Sequence, residues 1–140
     1  MLILDTNVIS ELMRPRPDPA VQAWISAQAG ASQFITTITE AELRYGVALL
    51  PAGKRRDGLS DLLAQMFSQE FDDRVLPFDR DAAAAYAPIV ATRQKNGKPI
   101  AQFDAQIAAI AASRGAAVVT RNASDFQGCG IEVINPWRES

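Results

Sequence analysis

The chain has 140 residues, of which 48% are hydrophobic and 21% charged. That apolar fraction is too high for a disordered chain, no run approaches the ~18–20 apolar residues of a membrane span, and the length corresponds to a single domain over residues 1–140. With 14 basic and 16 acidic residues the net charge is −2, which argues against a broad nucleic-acid-coating surface but leaves room for a basic rim around an acidic pocket.

Leu2-Ile3-Leu4 reads as a first strand and runs straight into Asp5-Thr6-Asn7, with no basic leader, so a soluble cytoplasmic protein is the expectation. An amphipathic segment follows (Val8, Ile9, Leu12, Met13) and is ended by Pro15, Pro17 and Pro19. Val21, Trp24 and Ile25 mark a second short helix, Phe34-Ile35 a strand, and Thr39 to Leu50 a helix with Leu43, Val47 and Leu50 on one face. Residues 53–58 read as a charged loop, and Leu59, Leu62, Leu63, Met66 and Phe67 recur at helical spacing after it. Val75 to Phe78 is a strand candidate, Asp81 to Arg93 an alanine-rich helix, and Asn96 to Pro99 a turn. A helix over Ile100 to Arg114 is predicted, with Pro99 at its first position and Gly115 as its cap. Ala116 to Thr120 and Ile131 to Ile134 supply the last strands. About five short strands alternating with helices predict α/β architecture, with a parallel sheet covered on both faces.

The sequence has no histidine and one cysteine, Cys129. This excludes a Ser-His-Asp triad, a zinc site built from His and Cys, and an internal disulfide. Hydrolytic chemistry must then rest on carboxylates, hydroxyls, Lys or a hard cation.

Four carboxylates stand out. Asp5 ends the first strand, where open parallel sheets collect ligands, although aspartate there also caps helices. Glu42 fits a capping box with Thr39, but Gly46 one turn later puts a glycine inside a helix and points to a close approach by something else. Asp104, if Pro99 opens the helix, lies in the second turn of a segment apolar all round, where a carboxylate needs a counter-charge; Arg121 or Lys98 would serve. Asp125 follows the strand that ends at Thr120, and with Asn122 it also fits an Asx turn. Two carboxylates ~4 Å apart repel by about 4 kcal/mol at an effective dielectric of 20, so such a cluster protonates or binds a cation. A donor set with no His or Cys selects Mg²⁺ or Mn²⁺.

Asp5-Thr6-Asn7, Glu42-Leu43-Arg44-Tyr45-Gly46, Asp104-Ala105-Gln106-Ile107-Ala108-Ala109 and Thr120-Arg121-Asn122-Ala123-Ser124-Asp125-Phe126 together resemble the PIN-domain toxins of the VapC type. The tail from Gly128 to Trp137 is similar to their Fit-type branch. The resemblance implies a three-layer α/β/α sandwich with a short parallel central sheet. It also implies an Mg²⁺- or Mn²⁺-dependent endoribonuclease, the toxin of a toxin–antitoxin pair. A homodimer is implied as well, bound by an antitoxin protein through which operator DNA is contacted. Carried over by motif, Asp5, Glu42, Asp104 and Asp125 hold the metal, and Thr6 and Asn122 orient carboxylates or water.

Arg44, Arg121, Lys95 and Lys98 are candidates for the basic rim toward RNA or antitoxin, as are Arg14 and Arg16. Trp24, Trp137 and Cys129 read as packing residues, and the Leu59–Phe67 stripe as core or antitoxin-facing hairpin. Two alternatives stand beside this reading. One is a non-catalytic antitoxin-binding corepressor. The other is a haloacid-dehalogenase-like phosphatase, whose chemistry wants a second aspartate where Asn7 stands.

Overall fold

The computed structural model describes residues 1–137; the expected domain limit at 140 lies outside the described residues. Among these, the strands are β1 (Leu2–Leu4), β2 (Gln33–Thr36), β3 (Val75–Leu76), β4 (Ala117–Val119) and β5 (Val133–Ile134). The helices are α1 (Thr6–Leu12), α2 (Pro19–Ser26), α3 (Thr37–Ala48), α4 (Lys54–Gln65), α5 (Arg80–Lys95) and α6 (Gln102–Arg114).

The strands form one parallel sheet in the order β3-β2-β1-β4-β5. The chain works outward from β1 to one edge, then returns to the other side of β1 for β4. Strand order therefore reverses between β1 and β4, and the crevice beyond their carboxyl ends is where such sheets bind ligands.

Successive strand residues point to opposite faces, and this sorts the core into two layers. Ile3 and Val118 face Ala82 and Ile89 of α5 and Ile107 and Ile110 of α6. Leu4, Ile35 and Val119 face Val8 and Ile9 of α1, Leu43 of α3 and Leu63 of α4. The result is the three-layer sandwich. Ile107 and Ile110 are essentially inaccessible, and each such side chain contributes about 1.5–3 kcal/mol of burial.

Three local expectations change. Residues 54–58 are not loop but the first turns of α4, which has no side-chain cap and whose exposed start carries no apolar periodicity to announce it. Helix α3 is capped by Thr36, whose Oγ1 accepts the Thr39 amide at 3.1 Å. Thr39 is thus inside the helix, and the Thr39–Glu42 capping box does not form.

Helix α6 opens at Gln102 behind an extended Ala101, not at Pro99, because residues 96–98 complete a turn back onto α5 in which the Lys98 amide donates to the Arg93 carbonyl at 2.9 Å. Asp104 consequently lies in the first turn of α6, where unpaired amides favour a carboxylate. Nor is this helix apolar all round: Phe103 is 51% exposed, and the buried face starts at Ala105. Gly46 is exposed and an added Cβ would meet nothing within 4 Å, so no packing inside the chain requires the glycine.

Candidate active site

Asp5 is the last residue before α1 and caps it: Oδ1 accepts the Thr6 amide at 2.8 Å. The capping role and the strand-end role thus fall on the same side chain. Its other oxygen, Oδ2, accepts the Thr120 hydroxyl at 2.8 Å and faces the Asn7 side-chain amide at 3.4 Å. Thr120 follows β4, so this bond spans the switch point. Thr120 Oγ1 in turn accepts Asn7 Nδ2 (3.2 Å) and the Asn122 amide (3.1 Å), leaving the hydroxyl hydrogen for Asp5.

Glu42 comes from α3 on the other side of β1. The Thr6 hydroxyl donates to its Oε1 at 2.8 Å and lies 3.1 Å from Thr39 Oγ1. Thr6 therefore links the helix of one acid to the helix of the next. Asp104 is partly buried at the start of α6, and Asp125 sits exposed in the 3₁₀ turn Ala123–Phe126. That turn is anchored by buried Phe126 and by the Asp125 amide bonding the Asn122 carbonyl at 3.0 Å; Asn122 forms no side-chain cap, so the Asx turn is absent.

A cleft of about 520 Å³ opens at the strand ends, with Asp5, Glu42 and Asp104 on its wall together with Thr6 and Asn122. Asp125 is not part of that wall, yet its charge reaches both Asp5 and Asp104. Burial pushes the Asp5 carboxyl upward, against the hydrogen bonds from Thr120 and Thr6, and the charges of Glu42 and Asp125 push the same way. Asp104 is pushed up to about 6, by burial first and then by Asp5, Asp125 and Glu42, with Arg93 pulling it back.

Among the described residues no basic side chain is in ion-pair contact with these acids: the pairs are Arg14–Glu11, Arg44–Glu40, Arg74–Asp73 and Arg114–Asp79, and Arg93 acts on Asp104 only from a distance. The expected counter-charges Lys98 and Arg121 are thus not paired with Asp104.

This donor chemistry fits a hard divalent cation: oxygen ligands only, one of them desolvated, in an uncompensated negative field. Among the described residues no three acidic or cysteine side chains already form a closed cage. Mg²⁺ suits such an open set, since it keeps several waters and takes one or two carboxylates plus substrate oxygens.

Around the rim, Arg14 and Arg121 line the cleft. Arg121 stacks its guanidinium 5.3 Å from the Trp137 ring centre, and its amide is held by Asn7 Oδ1 at 3.2 Å. Arg14 is tied to buried Glu11, which also accepts the Asp18 amide at 3.0 Å. Arg44 is occupied elsewhere, 2.8 Å from Glu40 and 5.0 Å from the Phe67 ring centre. Lys95, Lys98 and Arg16 are exposed, outside the cleft wall. Trp24 packs partly buried against the second core layer, and Cys129 is buried.

Sequence reasoning did not assign the supporting roles of Thr120, Asn7, Thr39 and Glu11. The threonines stand at element boundaries, where capping accounts equally well for them. Arg93 was missed entirely, since an arginine in the last turn of a surface helix carries no local signal.

Fold and site together define a parallel α/β sandwich with an acidic cleft at its switch point. Within it, the model of the PIN domain matches residues 2–127, and the chain belongs to the PIN-domain family. It is 47% identical over 137 residues to the VapC ribonuclease Y4jK of Sinorhizobium fredii, covering 98% of each chain. It is 42% identical over 139 residues to the toxin FitB of Neisseria gonorrhoeae, covering 99% of this chain and 100% of that one. Among solved structures, that of FitAB bound to an IR36 DNA fragment superposes with a TM-score of 0.94 at 41% identity, covering 100% of this chain and 98% of the other.

Proposed function

We propose that this chain is an Mg²⁺- or Mn²⁺-dependent endoribonuclease, the toxin of a toxin–antitoxin pair, acting as a single domain and as a cytoplasmic homodimer. The observation that carries this reading is the uncompensated cleft: Asp104 is pushed up to about 6 by burial and three acidic neighbours, with no basic partner in contact. Likeness to a named ribonuclease and a named toxin supports the substrate and the biological role. Likeness to FitAB on DNA supports an antitoxin partner through which operator DNA is reached. No helix among the described residues is long and apolar enough to cross a membrane.

In this mechanism Asp5, Glu42 and Asp104 would hold the cation directly or through water, and Asp125 would add charge from the rim. When bound, the ion supplies a lowered water pKa and neutralises charge on the phosphodiester. The chain's own side chains do the rest. Thr120 and the Thr6 amide fix the Asp5 oxygens, and the Thr6 hydroxyl fixes Glu42. Asn122 lines the cleft where attacking water would be oriented. Arg14 and Arg121 receive phosphates flanking the scissile bond, as wall arginines commonly do.

The test is cleavage of mixed cellular RNA with Mg²⁺ by antitoxin-free protein, beside Asp5→Asn and Asp104→Asn. Cleavage by the wild type alone is expected. Equal cleavage by all three proteins, or none by any, would reject the mechanism.

A further inference from the structure

We propose that Arg93 is a positioning residue for the acidic cleft, tying the turn ahead of Asp104 to the loop that carries Asp125; the inference rests on the metal-site reading above. Arg93 lies in the last turn of α5 and is 7% exposed. Its Nε donates to the Lys98 carbonyl at 2.6 Å. Its Nη1 donates to the carbonyls of Asp125 (2.8 Å) and Gln127 (2.9 Å) and lies 3.8 Å from Cys129 Sγ. Among the described residues it has no carboxylate in ion-pair contact.

A buried cation is tolerated when its hydrogens find acceptors, and here backbone carbonyls take those of Nε and Nη1. The acceptors belong to the two segments that deliver acids. Lys98 stands in the turn that leads through extended Ala101 into α6, whose first turn holds Asp104. The Asp125 carbonyl belongs to a site acid itself, so its bond to Arg93 limits how that residue turns.

Gly128, at φ +75°, bends the loop so that Gln127 and Cys129 both meet the same guanidinium; its position for a Cβ is 3.8 Å from Arg93 Cδ. The need for such a tie is evident from the side chains. Asp5 and Glu42 are fixed by hydroxyl and amide donors, whereas no side-chain hydrogen bond holds Asp104 or Asp125 among the described residues. Only a planar fork reaches carbonyls in several directions, so lysine is no substitute.

The test is calorimetric Mn²⁺ titration of the wild-type chain, Arg93→Lys, Asp125→Asn and the double variant, with far-UV circular dichroism on each. Arg93→Lys should weaken Mn²⁺ binding about 10-fold, as loss of a group supporting a ligand does. In the Asp125→Asn background, where only the tie toward Asp104 is left to lose, the same change should cost about threefold, a difference beyond the roughly twofold scatter of independent effects. A merely structural arginine would give equal losses in both backgrounds, and that result overturns the inference while leaving the metal site standing. A wild-type chain that binds no Mn²⁺ overturns both.

Should Arg93→Lys fail to fold, the wild type still decides. The Arg93 Nε–H resonance should shift during Mg²⁺ titration with the midpoint of binding. A resonance unmoved at saturation rejects the proposal.

Discussion

The two halves of the acidic cleft are built differently. Asp5, the cap of α1, and Glu42, on α3, have three of their four carboxylate oxygens engaged by Thr6, Thr120 and Asn7 through side-chain and amide bonds of 2.8–3.4 Å. Asp104 and Asp125 are delivered by α6 and by a loop, with their carboxylates unbonded and only their backbones tied down. One half is rigid before any ligand arrives; the other retains rotamer freedom that a cation or phosphate must remove, at a cost in entropy. The difference teaches that a fixed anchor and an adaptable jaw can share one cleft.

Several measurements break or sharpen this contrast. The largest effect belongs to the anchor: Asp5→Asn should lower RNA cleavage on the order of 1,000-fold while the chain stays folded by circular dichroism. A loss no greater than that of Asp125→Asn, expected at about 10-fold, would erase the distinction between the halves. Next is the support of the anchor. Thr120→Val removes the buried hydroxyl from Asp5 and strands the Asn122 amide, which should cost about 1–3 kcal/mol in urea unfolding and about 10- to 100-fold in metal affinity.

The jaw is read by pH. Asp104 is raised from the ordinary 3.8 to about 6 when folded. A carboxyl with a higher pKa folded than unfolded contributes stability that is fully present below 3.8 and is lost as pH rises through about 6. The melting temperature of the metal-free chain should therefore fall across that window, Asp104→Asn should flatten the fall, and saturating Mg²⁺ should reverse it at neutral pH. A melting temperature that instead climbs steadily across the window in metal-free protein would contradict the crowding of these acids. The smallest effect lies outside both halves. Gly46→Ala, on an exposed turn of α3 with open space around it, should raise stability by about 1 kcal/mol in chemical denaturation.

The sheet and Asp5 were legible in the sequence because their signals are local, whereas Glu42 and Asp104 were picked out by the resemblance, the capping box and the all-apolar helix argued for them being absent. Leu2-Ile3-Leu4 and Ala116 to Thr120 are apolar runs that stop at polar residues, and Asp5 follows the first of them directly. What was not legible depends on long-range bonds. Thr36 wins the cap of α3 from Thr39 because the chain leaves β2 there, a fact of the sheet rather than of the helix. The start of α6 is delayed past Pro99 by a turn held on the Arg93 carbonyl, so Asp104 moves from a second turn to a first. The exposed Lys54–Gly58 stretch joins α4 without any apolar stripe, since nothing packs on its outer side. Arg93 itself is explained only by carbonyls up to 34 residues away.

The bond between Thr120 and Asp5 spans 115 positions of sequence. During synthesis the aspartate therefore emerges long before the hydroxyl that aims it. β4 must also slot in beside a strand already paired on its other edge. A growing chain consequently carries Asp5 without its hydroxyl partner until β4 has joined the sheet, so the aim of this carboxylate reports that the two sides of the switch point have met.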